Sequence, residues 1–409
     1  MLDELKHKKI LIVGYGIEGK SVEHFLKTYD NTMNITVVDK KDGEGYLDNQ
    51  KNYDIAIKSP GVRKELVRIP YLTPTNIFFS LVKGKVIGVT GTKGKSTTSS
   101  LIYRILLQSG LPVDLIGNIG NPMLTGLEKE NTPDHWYVCE LSSYQLDDIE
   151  YSPHISVIIN FFPDHMNYHG SVEEYWVSKK RMIAKATAED FFVYNPQFAQ
   201  LQQLAKETKA KAVPYVDNIP FPDSDIPLLG LHNRDNIKAA ITVASLLTIS
   251  PEIMHQAVRS FTPLPHRLEK VGTFHEITFY DDAISTTPES TICALQALPD
   301  TATIFLGGLN RGYDFRTLVE TIEKSAIHTI VLFPESGTKI LAELQKSNTD
   351  RYTILQTMDM KEAVRYAYDH TPKHSVCLLS TASPSYSLWK NFEEKGSLFS
   401  RYVKEFGNQ

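Results

Sequence analysis

The stretch Thr-Gly-Thr-Lys-Gly-Lys-Ser-Thr at residues 90–97 constrains the fold more than any other part of the chain. It follows a β-branched apolar run at residues 86–89 and precedes a predicted helix at residues 95–109. This is the context of a phosphate-binding loop, or P-loop, although Val89 stands where the general pattern has a glycine. In such a loop the lysine reaches the β- and γ-phosphates and a hydroxyl binds Mg²⁺. The predicted ATP site comprises Gly91, Thr92, Lys93, Gly94, Lys95, Ser96 and Thr97.

A second glycine turn, Gly-Tyr-Gly-Ile-Glu-Gly at residues 14–19, lies between a predicted strand at residues 9–13 and a predicted helix at residues 20–29. Asp39 ends the next predicted strand, at the spacing of about 20 residues that is typical of dinucleotide-binding folds. Glycines here allow backbone N–H groups to approach a diphosphate at the helix N-terminus. The pattern predicts a nucleotide diphosphate and leaves open whether it is NAD or a UDP compound.

Short β-branched runs alternate with helical segments along the whole chain. This alternation predicts an α/β protein whose parallel sheets are covered by helices. The prolines in residues 214–227 predict a loop, and those in residues 262–265 predict a linker. We therefore predict three domains: a Rossmann-like domain at residues 1–82, a central P-loop domain at 83–263 and a second Rossmann-like domain at 264–409.

Composition excludes several classes of protein. A net charge of -5 provides no basic surface for nucleic acid. No apolar run reaches the roughly 20 residues that span a membrane, and the N-terminus lacks the pattern of a signal peptide. The three cysteines, Cys139, Cys293 and Cys377, are far apart, as in proteins of a reducing compartment. These features predict a cytoplasmic protein without nucleic-acid or membrane partners.

Polar residues follow two predicted strands of the P-loop domain. Glu140 comes after residues 136–139, and Asp164 and His165 come after residues 155–159. Alone, each would more often be a solvated loop residue or a structural histidine. Ligands in α/β proteins bind at the carboxyl ends of strands, so their shared position favours a role at the site.

Five motifs occur in an order that resembles the Mur ligase family: GTKGKST, ELSSYQL, NFFPDHMNYHG, LLGLHNRDN and LPHRLE. The resemblance extends over nearly the entire chain. The ELSSYQL form, Ser59-Pro60-Gly61 upstream and Phe392 in KNFEEKG downstream are most similar to the branch that adds glutamate. An Asp-Asn-Pro-Arg signature is absent, which disfavours the branch that adds diaminopimelate or lysine.

The resemblance implies a role for individual residues. The UDP part of the substrate would be bound by Gly14, Tyr15, Gly16, Gly19, Asp39, Lys40, Ser59, Pro60, Gly61, Asn118 and Ser142. Beyond the P-loop, ATP would be bound by Asn233, Asn236, Arg267 and Asp282. Lys95, Glu140, His165 and Lys179 would be catalytic, and two Mg²⁺ ions would be held by Ser96, Glu140, His165 and Lys179.

Lys179 aligns with the carbamylated lysine of the family. An unmodified lysine is a cation that repels Mg²⁺, whereas a carbamate is an anion with the oxygen ligands that Mg²⁺ prefers. Without the resemblance, Lys179 would be interpreted as one of several surface lysines on an amphipathic helix.

The incoming amino acid would contact Thr286, Arg311, Ser385 and Phe392. Ile284 stands where glutamate-adding members often have a lysine, and Arg311 stands where another substrate-binding lysine is often found. Because the guanidinium of an arginine can grip a carboxylate through two parallel bonds, we predict glutamate, in the D form, with L-glutamate as the alternative.

The resemblance thus implies a monomeric ligase that uses ATP to join glutamate to UDP-N-acetylmuramoyl-L-alanine, through an acyl phosphate, in peptidoglycan precursor synthesis. An NAD-dependent oxidoreductase would explain residues 14–39 but not the P-loop. A non-catalytic nucleotide-binding regulator would not need Lys95, Glu140, His165 and Lys179 together. A folate-polyglutamate or cyanophycin-type ligase is disfavoured by the UDP-type first domain and by ELSSYQL.

Overall fold

Three β-sheets organise the protein, whose computed structural model describes residues 1–128, 131–164, 166–346 and 350–408. The first sheet is parallel, with the strand order β2-β1-β3-β4. Its strands are β1 (Lys9–Val13), β2 (Asn34–Val38), β3 (Ile55–Lys58) and β4 (Tyr71–Leu72). The associated helices are α1 (Leu2–Leu5), α2 (Ile17–Tyr29) and α3 (Pro74–Leu81).

The second sheet is also parallel and has the order β10-β9-β8-β5-β7-β6. Its strands are β5 (Lys85–Thr90), β6 (Val113–Gly117), β7 (Trp136–Glu140), β8 (Ile155–Ile158), β9 (Phe191–Tyr194) and β10 (Lys211–Pro214). Its helices are α4 (Lys95–Gln108), α5 (Ser143–Leu146), α6 (Met166–His169), α7 (Val172–Lys180), α8 (Ala199–Glu207), α9 (Leu231–Leu246) and α10 (Pro251–Arg259). Because β5 lies between β7 and β8, the residues that follow these three strands meet at one edge of the sheet.

The third sheet has the order β11-β12-β16-β13-β14-β15. Its strands are β11 (Glu269–Phe274), β12 (Ile277–Asp281), β13 (Thr301–Gly307), β14 (Thr329–Phe333), β15 (Thr353–Gln356) and β16 (Val376–Leu379). Its helices are α11 (Pro288–Ala297), α12 (Arg316–Glu323), α13 (Ser336–Leu344), α14 (Met360–His370) and α15 (Phe392–Gly407).

The prediction that every sheet is parallel is wrong for the edge of the third sheet, where β11 is antiparallel to β12. His275 and Glu276 form the two-residue connection, with φ values of 50° and 66°. Two-residue hairpin loops of type I′ have this left-handed conformation at both positions, and Asn-Gly or Asp-Gly is their usual signal. The dipeptide His-Glu carries no such signal, so the hairpin could not be recognised from the sequence.

The chain forms two compact units: Met1–Ile226 with Asn233–Phe261, and Pro227–His232 with Thr262–Gln409. The first unit contains both the first and second sheets because one apolar core joins them; Phe78 of α3, for example, packs edge-on against Tyr137 of β7 at 5.4 Å between ring centroids. The proposed boundary at residues 82/83 therefore stays a prediction. In the described part of the chain, no helix is long and apolar enough to cross a membrane.

Candidate active site

The P-loop connects β5 to α4, and Gly94 is its most constrained residue. Gly94 has a φ of +85°, which favours glycine, and a Cβ atom there would lie 2.3 Å from Asn236 Oδ1 of α9. Asn236 in turn accepts a hydrogen bond from Thr98 Oγ1 of α4 at 3.2 Å and donates one to Asn233 Oδ1 at 2.9 Å. The two asparagines predicted to bind ATP are therefore packed against the start of the P-loop helix.

Asn160, which follows β8, fixes the conformation of the loop. Its Oδ1 atom accepts hydrogen bonds from the backbone N–H groups of Thr92 and Lys93, both at 3.0 Å, and its Nδ2 atom donates to Lys93 O at 3.0 Å. Asn160 was not among the site residues predicted from the sequence. Its position directly after an apolar strand, as the first residue of NFFPDHMNYHG, was the signal that could have identified it.

Two lysines meet at one carbonyl group of the loop. Lys95 Nζ donates to Gly91 O at 3.0 Å and to Thr92 O at 3.1 Å. Lys179 Nζ, from α7, donates to the same Gly91 oxygen at 3.0 Å. Hence the structure places Lys179 beside the P-loop lysine, although the two residues are far apart in the sequence.

Lys179 is buried, with only 1% of its surface exposed, so the alternative of a surface lysine is wrong. Its Nζ atom also lies 4.6 Å from the centroid of the Tyr175 ring. Burial, and secondarily the charge of Lys95, hold the pKa of the Lys179 amine well below its usual range. The uncharged amine is the form that can act as a nucleophile.

Glu140 ends β7, beside the P-loop strand, and only 1% of it is exposed. Its Oε1 atom accepts a hydrogen bond from Asn118 Nδ2 at 2.9 Å. Its Oε2 atom is buried and has no hydrogen-bond partner among the described residues. Because a buried carboxylate oxygen without a partner is costly, this arrangement fits a bound cation.

The remaining predicted metal ligands differ in what the structure describes. Ser96 is buried in the first turn of α4. His165 lies outside the described residues. Oxygen ligands such as those of Ser96 and Glu140 fit Mg²⁺.

Another group of side chains is close enough to share a metal ion: in His266, Glu269 and Asp281 of the second unit, candidate ligand atoms lie within 4.8 Å of one another. Here His266 Nδ1 is hydrogen-bonded to Asp281 Oδ2 at 2.7 Å, and Glu269 Oε2 accepts from the His266 backbone N–H at 2.8 Å. These polar atoms already satisfy one another, so we interpret the group as structural.

A cleft of about 640 Å³ in the first unit contains most residues predicted to bind the UDP part of the substrate. They are Gly14, Gly16, Asp39, Lys40, Ser59, Pro60, Gly61, Asn118 and Ser142. The cleft also contains residues that the sequence analysis missed, namely Ile17, Glu18, Tyr46, Val62, Arg63, Leu66, Tyr144 and Gln145.

Tyr15 and Gly19 do not line this cleft. The Tyr15 backbone N–H donates to Asp39 Oδ2 at 2.7 Å, which holds the glycine turn. Gly19 belongs to α2, which begins at Ile17 and not at residue 20 as predicted. A Cβ atom on Gly19 would lie 2.1 Å from Gly14 O, so this glycine permits the helix to pack closely on the turn.

Glu18 lies in the wall of the cleft, and its Oε2 atom is buried without a hydrogen-bond partner in the described part of the chain. Burial raises the pKa of its carboxyl from 4.5 to about 7. The folded protein therefore holds a proton on Glu18 that the unfolded chain loses above pH 4.5. This contribution lowers the stability of the fold progressively as the pH rises from about 4.5 through 7.

Replacing Glu18 with glutamine should remove this pH dependence. The free energy of unfolding of Glu18→Gln minus that of the wild type should increase by on the order of 1–3 kcal/mol from pH 5 to pH 8, because only the wild type loses stability as this carboxyl ionises. Urea unfolding at both pH values measures the difference. Glu44→Gln, at an exposed glutamate, is the matched control and should show no such change. Parallel pH profiles for the wild type and Glu18→Gln would contradict the assignment.

In the second unit, Asp282 connects the turn that bears Arg267 to the third sheet. Asp282 Oδ1 accepts from the Leu268 backbone N–H at 3.3 Å, and Oδ2 accepts from Ser380 Oγ at 2.8 Å. Burial raises the pKa of its carboxyl to about 7. His266 and Leu268, on either side of Arg267, have φ values of 61° and 47°. The predicted contact of Arg267 and Asp282 with ATP stays a prediction.

The residues predicted to bind the amino acid follow three adjacent strands of the third sheet. Thr286 follows β12, Arg311 follows β13, and Ser385 follows β16, while Phe392 begins α15. Arg311 is exposed, and Ser385 Oγ is buried with no hydrogen-bond partner among the described residues. The carboxyl edge of this sheet therefore presents an exposed cation and an unsatisfied hydroxyl.

Lys395, on α15, is a further residue that the sequence analysis missed. Its side chain is fully buried, and its Nζ atom donates to Thr381 Oγ1 in the loop that bears Ser385. Burial lowers the pKa of the amine to about 7. Its occurrence within KNFEEKG was the available signal, but a lysine in a helix usually reads as exposed.

Comparisons with known proteins agree with this geometry. Residues 89–221 match the family model of the Mur ligase middle domain. The UDP-N-acetylmuramoylalanine–D-glutamate ligase of Acetivibrio thermocellus is 30% identical, over 98% of this chain and 97% of that relative. The enzyme of the same name from Streptococcus agalactiae is 35% identical, over 85% of this chain and 81% of that relative.

Solved structures show the same fold. The UDP-N-acetylmuramate–alanine ligase of Thermotoga maritima has a TM-score of 0.65 at 18% identity and covers 98% of this chain and 100% of its own. MurF ligase of Thermotoga maritima, solved in complex with ADP, has a TM-score of 0.64 at 14% identity, with coverages of 99% and 97%. The predicted α/β fold class is confirmed. The chain belongs to the Mur ligase family, among the relatives of the UDP-N-acetylmuramoylalanine–D-glutamate ligases.

Proposed function

We propose that the protein is an ATP-dependent ligase that joins D-glutamate to UDP-N-acetylmuramoyl-L-alanine in the synthesis of a peptidoglycan precursor. Family membership supports the activity. The observation that carries it is the convergence of Lys95 and Lys179 on the carbonyl oxygen of Gly91, each at 3.0 Å. A plain nucleotide-binding regulator does not require a buried second lysine at the P-loop.

In the proposed reaction, a carboxylate oxygen of the UDP-linked substrate attacks the γ-phosphorus of ATP, and the bond from that phosphorus to the ADP oxygen breaks. The amine of glutamate then attacks the carbon of the acyl phosphate, phosphate leaves, and the nitrogen loses a proton as the amide forms. Lys95 would stabilise the negative charge that develops on the phosphoryl group. The protein supplies position and charge, and none of its three cysteines is needed as a nucleophile.

We further propose that Lys179 is a carbamate in the active enzyme. The neutral amine attacks carbon dioxide, an N–C bond forms and one proton is released. Burial of Lys179 supports this proposal because it favours the uncharged amine. The change also places an anion beside the ammonium of Lys95, which shares the Gly91 carbonyl oxygen with Lys179.

Mg²⁺, when bound, would neutralise the charge of the phosphate oxygens. Ser96, Glu140, His165 and the carbamate of Lys179 are its proposed ligands. The orphaned Oε2 atom of Glu140 supports this assignment. The cleft that is lined by residues of the first sheet together with Asn118 and Ser142 is proposed to bind the UDP part. We propose three domains: a first domain of residues 1–82, a P-loop domain of residues 83–263 and an amino-acid-binding domain of residues 264–409.

Phosphate release from ATP tests the proposal directly. We expect release only when UDP-N-acetylmuramoyl-L-alanine, glutamate and Mg²⁺ are all present. A panel of D- and L-amino acids distinguishes D-glutamate from L-glutamate. L-Glutamate is the alternative because Ile284 stands where glutamate-adding members of the family often have a lysine. Preference for a neutral amino acid over both glutamates would show that the amino-acid pocket has been misread. Reduction of NAD without phosphate release would instead favour an oxidoreductase.

Arg311 is the proposed principal cation for glutamate. A charge-assisted hydrogen bond contributes roughly 1.5–3 kcal/mol, so Arg311→Ala should raise the KM for glutamate by about 10- to 100-fold. The KM values for ATP and for the UDP substrate should change far less. Arg316→Ala is the matched control because Arg316 is also exposed and forms an ion pair with Asp314. An unchanged KM for glutamate in Arg311→Ala would eliminate Arg311 from the pocket.

A further inference from the structure

The cleft of the first unit has two walls that come from different sheets. Residues 59–63, which follow β3 of the first sheet, form one wall, and Ser142, Tyr144 and Gln145, which follow β7 of the second sheet, belong to the other. Charged residues adjoin the residues of each wall in the sequence. Lys58 is the last residue of β3, and Asp147 and Asp148 come directly after α5.

Lys58 and Asp148 join the two walls in the interior. The side chain of Lys58 is fully buried, and its Nζ atom forms an ion pair with Asp148 Oδ2 at 2.9 Å. The same ammonium donates a hydrogen bond to Val62 O at 3.0 Å, within the first wall, whereas its contact with Asp148 is an ion pair that lacks the alignment of a hydrogen bond. Tyr71 donates its hydroxyl to Asp148 Oδ1 at 3.1 Å, so both oxygens of this carboxylate face the first sheet.

A second, more exposed contact lies beside this pair. Lys64 Nζ lies 3.1 Å from Asp147 Oδ1, and Arg181, which directly follows α7, contacts the same oxygen at 3.0 Å. Asn76 of α3 adds two hydrogen bonds to the backbone next to these acids, donating to Asp148 O at 2.8 Å and accepting from the Glu150 N–H at 3.0 Å. Several polar contacts thus connect the elements of the two sheets close in sequence to residues that line the cleft.

Buried ion pairs rarely stabilise a fold more than apolar side chains of the same size would. They do require their partners to stay in place, because separating them leaves a charge in the interior. The apolar core already holds the first and second sheets together. The effect particular to the buried pair is therefore on geometry, because it ties Lys58, which adjoins residues 59–63, to Asp148, which lies three residues after Gln145.

We propose that Lys58, Lys64, Asp147 and Asp148 form a clamp that sets the width of the cleft and so positions the nucleotide diphosphate part of the substrate. These four are positioning residues, since they act through the cleft walls. The inference rests on the proposed function, which supplies the ligand of this cleft.

The test compares Lys58→Met and Asp148→Asn with the wild-type full chain. UDP binding is measured by calorimetry, and the KM for the UDP substrate, the KM for ATP and kcat are measured by phosphate release. We expect the dissociation constant for UDP and the KM for the UDP substrate to rise by about tenfold or more. The KM for ATP and kcat at saturating substrate should stay within about threefold. Lys361→Ala, which removes an exposed ion pair with Glu405 in the second unit, is the control and should change none of these values.

The possible outcomes separate a failure of the clamp from a failure of the proposed function. Equal UDP affinity in the wild type and in both variants overturns the clamp while the proposed function stands. A parallel loss of kcat, ATP affinity and UDP affinity also overturns it, because that pattern indicates a general structural role. If both variants fail to fold, Lys64→Ala and Tyr71→Phe replace them, and unchanged UDP affinity in these two rejects the clamp. A wild-type protein that neither binds UDP nor releases phosphate rejects the proposed function itself, and the clamp with it.

Discussion

Replacing Lys95 with alanine should lower kcat by about three orders of magnitude or more in the phosphate-release assay. Lys95 begins α4, and its ammonium lies at the carbonyl groups of Gly91 and Thr92, inside the loop that is proposed to hold the phosphates. In phosphoryl transfer the protein contributes mainly position and opposite charge, so loss of this cation acts on the transition state. Its removal should therefore reduce kcat more than it raises the KM for ATP.

Lys85→Ala provides the control for Lys95, because Lys85 is an exposed lysine at the other end of β5. Its turnover should match that of the wild type. Circular dichroism and thermal unfolding establish that both variants are folded. If Lys95→Ala retains kcat within tenfold of the wild type, residues 90–97 are not the phosphoryl-transfer site.

Replacing Lys179 with alanine should be nearly as damaging, with a loss of at least about two orders of magnitude in kcat. The variant loses the proposed carbamate, and with it an anionic oxygen ligand beside the P-loop. Added formate or acetate should restore part of the activity, since a small carboxylate fits the volume left by the side chain. In the wild type, activity should fall when carbon dioxide and bicarbonate are removed and return when bicarbonate is added.

The adjacent Lys180 is the matched control for this experiment, because it lies on the same helix but is not fully buried. Lys180→Ala should keep its activity and should not respond to carboxylates. Full activity of Lys179→Ala would rule out the modification. If Lys179→Ala loses activity but the activity of the wild type does not depend on bicarbonate, Lys179 acts as an unmodified amine.

The P-loop and the strands around it were predictable because their signals are local. Strand β1 has the bounds that the sequence indicated, β5 extends one residue beyond the predicted run at each end, and α4 ends one residue before the predicted end. Both strands are β-branched apolar runs that end beside a glycine. Local patterns of this kind also placed Glu140 and Asn160 at strand ends, although only Glu140 was selected.

Lys179 shows what local patterns leave out. Helix α7 buries Tyr175, Ser178 and Lys179, which lie on one face at the usual helical spacing. Two of the three are polar, so a search for apolar periodicity finds no buried face. Burial of Lys179 is a consequence of tertiary packing against the P-loop, and only the family resemblance pointed to it.

The same limit applies to Glu18 and Lys395. Both lie on helices whose sequences suggest exposure, and both are charged residue types that are rarely buried without a partner. The side chain of Glu18 lies in the wall of the cleft and that of Lys395 is buried beneath the third sheet's loops, because neighbouring elements of the fold cover both. The ion pair of Lys58 and Asp148 was equally hidden, since the two residues are 90 positions apart in the sequence.

The central position of β5 has a consequence for the growing chain on the ribosome. Strand β5 and the entire motif at residues 90–97 are synthesised before either neighbour, β7 or β8, exists. Asn160, which holds the loop, emerges more than 60 residues later, and Lys179 later still. A nascent chain that ends before β8 thus carries every residue of the motif but lacks the hydrogen bonds of Asn160 to Thr92 and Lys93. Nucleotide binding should accordingly begin abruptly during translation, after the strands on both sides of β5 have been added and not when the motif itself appears.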